Sequence, residues 1–223
     1  VIVAMPQIFP KWSNTAAKLL PIILFFGLCT VVFVFWYWFS PKNLDVGYEP
    51  HQPIPFSHKL HVSDLGIDCM YCHSQAEKSP HAGVPSTQTC MNCHEHQANK
   101  DSLKLASLMR SWKGGGIDGA PIEWNRVHKV GDYAYFDHSA HISAGVGCVS
   151  CHGQVDQMQV VRQQKPLSMG WCLECHRDPA PHLRPPSEVT NMNYHQSDSY
   201  KKMAVERAKT LNAPVESCSG CHR

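Results

Sequence analysis

Apolar residues are unevenly spread along this chain. From Leu19 to Phe39 it reads LLPIILFFGLCTVVFVFWYWF, 21 residues without a charge. A helix of about 20 such residues crosses a hydrocarbon core of about 30 Å. Lys11 and Lys18 precede the run, which places the N-terminus inside by the positive-inside tendency. Trp36, Tyr37 and Trp38 form an aromatic belt at the outer interface. A cleaved signal peptide fits poorly, because the run is too long and Tyr37-Trp38-Phe39-Ser40-Pro41 is a poor cleavage site. The pattern predicts an uncleaved transmembrane anchor over 19–39, with Pro21 as an early-turn residue or a mild kink.

The remaining roughly 180 residues are too poor in apolar side chains for a conventional core. Pro and Gly punctuate them, from Pro50 through Gly114–Gly116 to Pro186. Two stretches have helical spacing. Asp101 to Trp112 aligns Leu105, Leu108, Met109 and Trp112, and Ser199 to Leu211 aligns Tyr200, Met203, Ala204, Ala208 and Leu211. Both stripes read as packing faces rather than chemistry. The expected fold is one N-terminal transmembrane helix and a loop-rich, mostly α domain with little sheet.

An internal repeat organises that domain. The first copy runs Phe56-Ser57-His58-Lys59-Leu60-His61, then Gly66-Ile67-Asp68-Cys69; the second runs Phe136-Asp137-His138-Ser139-Ala140-His141, then Gly145-Val146-Gly147-Cys148. The expected parts are an N-terminal segment with the anchor (1–40), two related modules (41–125 and 126–185) and a C-terminal part (186–223).

Ten of the eleven cysteines fall in five Cys-x-x-Cys-His pentads: Cys69 to His73, Cys90 to His94, Cys148 to His152, Cys172 to His176 and Cys218 to His222. Chance from this composition gives about 0.04 pentads per chain. The pentad is the attachment site of a c-type haem, with thioether bonds from Cys69, Cys72, Cys90, Cys93, Cys148, Cys151, Cys172, Cys175, Cys218 and Cys221. His73, His94, His152, His176 and His222 are then the proximal iron ligands. Structural zinc does not require His after every second Cys, and no βαβ pattern supports a thioredoxin-like role. Cys29 lies in the apolar run and reads as an inert buried thiol.

Five covalent haems imply export, so the haem domain is expected on the outer face of the bacterial cytoplasmic membrane, as a single-pass protein. The formal charge of +2 would be outweighed by about ten haem propionates unless Arg and Lys pair with them. No basic block supports nucleic-acid binding. Each of the two modules carries two haems, and the fifth stands at the C-terminal end.

The Phe-x-His-x-x-His element resembles that of class III cytochromes. The resemblance implies that His58 is the distal ligand of haem 1 and His138 of haem 3, with His61 and His141 reaching other haems. For the remaining distal positions His182 and His128 are candidates, with Met158 and Met169 as rivals; Met would raise the potential. His51, His81, His96 and His195 read as surface, loop or propionate-contacting residues. Nothing indicates a catalytic haem, and there is no phosphate loop or nicotinamide fingerprint.

The stretch from Tyr135 through Cys148, His152-Gly153-Gln154-Val155, Met158 and Leu167-Ser168-Met169-Gly170-Trp171-Cys172 to Arg177 resembles the pentahaem subunit of bacterial alternative complex III. That resemblance implies an electron-transfer subunit of a quinol:electron-acceptor oxidoreductase, not an enzyme by itself. Its partners would be polytopic quinol-oxidising subunits, an iron–sulfur subunit, a monohaem cytochrome c and a soluble acceptor or terminal oxidase. The alternative is a stand-alone membrane-anchored quinol dehydrogenase of the NapC/NrfH type. The 29 residues between Phe39 and Cys69 are long for a haem resting on the membrane.

Overall fold

A computed structural model describes residues 8–96, 102–112, 119–211 and 216–222. Asp101 and Gly114–Gly116, named above, lie outside the described residues. The chain divides between Leu44 and Asp45 into two units.

The first unit holds α1 (Trp12–Trp38) and the short α2 (Pro41–Leu44). At 27 residues, α1 rises about 40 Å. It begins seven residues before the uncharged run, so Pro21 lies well inside it rather than in its first turn. The helix continues through the proline although the ring removes a backbone donor. No residue of α1 is buried, and its composition suits a membrane span. Cys29 is exposed, against the expectation of burial, on a helix none of whose residues is buried.

The second unit is built from short helices and turns. Among the described residues its one extended pairing is a single antiparallel bridge, Val146 to Leu183. In order it contains a π-helical turn (Lys59–Asp64), α3 (Cys69–Cys72), α4 (Thr87–His94) and α5 (Ala106–Trp112). These are followed by α6 (His138–Ala144), α7 (Cys148–His152), α8 (Met169–Arg177), α9 (Asp198–Thr210) and α10 (Cys218–Cys221). Short 3-10 turns link several of them.

The apolar core is small and split in two. Ile54, Met91 and Leu108 gather Leu105, Met109 and Trp112, so the first predicted stripe packs as a face and carries Cys90 of pentad two against it. Leu183, Tyr200 and Ala204 gather Ala208 and Leu211. Met203 departs from the second stripe and is exposed. So small a core leaves a need for apolar surface that haem macrocycles would supply.

The two repeat copies fold alike with one difference, which the spacing explains. His61 stands five residues before Gly66, whereas His141 stands four before Gly145. The extra residue is absorbed by a π turn, closed by Leu65 N donating to the Leu60 carbonyl at 3.0 Å. The second copy is α-helical there, started by the Asp137 carboxylate, which accepts from Ser139 N and Ala140 N. Both copies end in a left-handed glycine, Gly66 at φ +71° and Gly145 at φ +92°. Ile67 N then donates to the His61 carbonyl at 3.0 Å and Val146 N to the His141 carbonyl at 2.9 Å. The added residue is therefore looped out without moving the pentad relative to the histidine.

The copies also hold each other. Lys59 N donates to the Met158 carbonyl at 3.0 Å, and Ser139 N donates to the Ser79 carbonyl at 3.3 Å. Lys59 and Ser139 are equivalent positions of the repeat, as are Ser79 and Met158. One contact is thus made twice in opposite directions, the pattern of an isologous interface within a single chain. Ser57 Oγ to Gln159 Oε1 (2.7 Å) and Ser63 Oγ to the Asp156 carbonyl (2.8 Å) add to one side of it.

Candidate haem centres

Each pentad lies on a helical turn: α3, α4, α7, α8 and α10 in order. Cysteines three apart on such a turn point to one side, as two bonds to one macrocycle require. The residue before the turn caps it where a side chain allows. The Asp68 carboxylate accepts from Met70 N at 2.8 Å, and Ser168 Oγ accepts from Trp171 N at 3.5 Å.

No pentad cysteine is paired in a disulfide. Burial, helped by Cys148 and Asp68, pushes Cys69 up to about 11. Burial, helped by Cys175 and Cys172, pushes Cys151 up to about 12. Zinc needs thiolates, which these surroundings disfavour; neutral thioethers suit them. Among the described residues no three His, Cys, Asp or Glu side chains converge on a bare-ion site.

The thiols also place the pentads in sequence through space. After burial, the largest influence raising Cys72 is Cys93, and that raising Cys90 is Cys72, so pentads one and two adjoin. Cys69 feels Cys148, joining one to three; Cys151 feels Cys175, joining three to four; Cys172 feels Cys221, joining four to five. The neighbour order is two, one, three, four, five.

Histidines meet across these helices. The His61 and His94 rings lie 6.2 Å apart, centroid to centroid, at 44°, and the His141 and His176 rings 6.1 Å apart at 48°. The His138 and His152 rings are 6.5 Å apart and nearly parallel at 15°. A metal about 2 Å from each imidazole nitrogen holds two centroids roughly 6 Å apart. His58 is influenced after burial most by His73 and is pushed down to about 4. His152 is pushed down to about 3 by burial and by His128, His138, His73 and His58. Neutral imidazole is the form that ligates metal.

Backbone carbonyls orient five of these rings. Nδ1–H of His61 donates to Ser57 and that of His141 to Asp137, at 2.8 and 2.7 Å. His73 donates to Gly83 (2.8 Å), His138 to Pro80 (2.8 Å) and His222 to Tyr133 (3.0 Å). Fixing the proton on Nδ1 leaves Nε2 with its lone pair free for iron. Phe56 stacks on His61 at 4.4 Å and Phe136 on His141 at 4.4 Å, which accounts for the aromatic residue in both copies.

The other candidates are placed differently. His128 contacts the edge of His152 at 4.3 Å, too close for an iron between them, and its Nε2 is buried without a partner. Met158 is buried beside the first copy's π turn, and Met169 is exposed at the start of α8. His182 is half-buried on a 3-10 turn. The ring stacked on His222 is that of Tyr133, at 5.7 Å. His51, His81, His96 and His195 are exposed.

Sequence reasoning passed over Arg184, which is buried against Gly147 and Cys148. Its only signal was a cation between Leu183 and Pro185. The orienting carbonyls were equally invisible, since any residue supplies one. Several buried nitrogens lack partners, among them His58 Nδ1, His94 Nδ1, His176 Nδ1 and Arg184 Nε. The paired imidazoles, and the two cysteines three apart on each pentad turn, fit covalently held haem.

Residues 39–114 match the model of the class III cytochrome c family. The match covers about a third of the chain; the chain as a whole belongs to the multihaem cytochromes c of electron transport. It is 30% identical over 206 residues to the menaquinone reductase, multiheme cytochrome c subunit, of Nitratidesulfovibrio vulgaris, over 89% of each chain.

Proposed function

We propose that this chain carries five covalent c-type haems and relays electrons outside the bacterial cytoplasmic membrane, as one subunit of a quinone-linked complex. When bound, each haem supplies a redox-active iron. The chain supplies the thioether anchors of the five pentads and the imidazoles above and below each iron. His73 and His58 would hold haem 1, His94 and His61 haem 2, His152 and His138 haem 3, and His176 and His141 haem 4. His222 is the proximal ligand of haem 5. Two imidazoles per iron favour a low-spin carrier over a site that binds substrate.

The observation carrying this reading is the facing imidazole pair, found at the same spacing in both copies: 6.2 Å for His61 and His94, 6.1 Å for His141 and His176. The order of neighbouring thiols supports a relay running haem 2, 1, 3, 4, 5. The quinone link rests on the menaquinone reductase relative and on the resemblance to the pentahaem subunit of alternative complex III. In the finer form of the proposal, polytopic quinol-oxidising, iron–sulfur and monohaem cytochrome c subunits flank the chain. Electrons then leave to a soluble carrier or terminal oxidase. The apolar α1, with its N-terminus cytoplasmic, holds the haem domain at the membrane.

Purification from membranes in mild detergent tests the proposal. Pyridine haemochromogen assay should give five haems per chain, and membrane subunits should co-purify. A chain that runs alone and is reduced directly by quinol would overturn the subunit reading.

A further inference from the structure

The two repeat copies share a backbone path into the pentad but carry opposite charges along it. Asp68 stands directly before Cys69, and its equivalent before Cys148 is Gly147. The Asp68 carboxylate accepts from Met70 N at 2.8 Å and is exposed. Over Gly147 lies the guanidinium of Arg184, so close that a Cβ on this glycine would collide with it. The same point of the repeat therefore carries an anion in one copy and a cation in the other.

Neither charge is cancelled by an ion pair among the described residues. Arg184 is 6% exposed, and its Nη1 donates to the carbonyls of Asn191 at 2.8 Å and Glu188 at 3.5 Å. Tyr194 lies 5.1 Å beneath the guanidinium. The Glu188 carboxylate also acts on it, but accepts its hydrogen bond from Asn191 Nδ2 at 2.8 Å. Two further groups sharpen the contrast. Asp156 is 5% exposed; its Oδ2 accepts from Gln157 Nε2 at 3.0 Å and its Oδ1 has no partner. Burial, Cys148, Asp68 and Asp156 all hold the Cys69 thiol up. At Cys148 burial is opposed by Arg184, and at Cys151 by the half-buried Lys165. Pentad one is thus set among carboxylates and pentad three among cations.

We propose that Asp68, Asp156 and Arg184 make the two equivalent haems unequal, lowering the potential of haem 1 and raising that of haem 3. This rests on the haem reading above, under which Cys69 and Cys148 are each bonded to their haem. Reduction adds one electron at the iron; a neighbouring cation stabilises that added charge and an anion opposes it. Water and salt screen the buried Arg184 less than the exposed Asp68, so the arginine has the larger effect. One electron passing from haem 1 to haem 3 oxidises the first and reduces the second, and these side chains favour that direction. It is the direction that carries electrons from pentad two towards pentad five.

Redox titration of the full-length holoprotein, followed by its haem spectrum, tests the inequality. Asp68→Asn keeps a good helix cap while removing the charge, and should raise one transition. Arg184→Gln keeps donors for the two carbonyls and should lower a different transition, by more. In the wild-type protein the second of these transitions should lie above the first. Arg184→Lys keeps the charge and should leave both near their wild-type potentials, whereas a merely structural arginine would make it shift as far as Arg184→Gln. Should Arg184→Gln lose haem, Asp68→Asn and Arg184→Lys decide the matter. Unmoved transitions in Asp68→Asn or Arg184→Gln would overturn the proposal, as would wild-type potentials in the opposite order. Haem counts by pyridine haemochromogen separate the two readings: fewer than five in the wild-type chain defeats the haem reading, and five with unmoved transitions defeats this inference alone.

Discussion

At His61 and His141 one hydrogen bond does two jobs. Donation from Nδ1 to the carbonyl four residues back fixes the ring, and it leaves Nε2 as the ligand. The bond is local to the helical turn, so any sequence that folds this turn with a histidine there makes it. His61→Ala and His141→Ala should each convert one haem from low to high spin, seen by electron paramagnetic resonance. His128→Ala should leave the low-spin count unchanged, because its ring touches the edge of His152 instead of facing it across an iron. A lost low-spin signal in that variant would make His128 a ligand after all. The paired histidines were legible because their spacing repeats. Which iron the second of each pair serves was not, because pentads two and four approach through tertiary packing that no local spacing encodes.

The elements follow from simple arithmetic once the copies are aligned. The π turn at Lys59–Asp64 is the cost of one residue more than the second copy has. Deleting Asp64, which is exposed, should turn it into an α-helix like α6 and keep the haems low-spin. High-spin haem in that variant would show that the wider turn is needed for its own sake. Ser168 holds the first turn of α8, and Ser168→Ala should lower stability by about 1 kcal/mol, measured by chemical unfolding of the holoprotein. The apolar stripes located α5 and α9, since each had a core to face. Met203 escaped the pattern because helical spacing names a stripe and not its width. The anchor helix ran longer than its uncharged run, and Pro21 moved inside, because helix can extend past the apolar stretch where water begins.

For the whole molecule, the boundary between Leu44 and Asp45 separates anchor from haem domain. A chain beginning at Asp45 behind a cleavable export signal should appear in the soluble fraction with the spectrum of the full protein. Altered spin states would place structural support for the haems in the anchor. The two small cores explain why the fold was hard to foresee beyond its class: loops joined by backbone bonds to distant carbonyls leave no hydrophobic pattern. The reciprocal contact of Lys59 with Met158 and Ser139 with Ser79 was likewise hidden, although both its halves lie in the visible repeat. Its consequence reaches the proposed relay. Two copies that clasp each other through pentads one and three arrange haems 2, 1, 3 and 4 as a palindrome, alike when read from either end. The pentad at Cys218 adjoins the end at pentad four. It breaks the palindrome and gives the relay a polarity, so that a donor and an acceptor meet different surfaces.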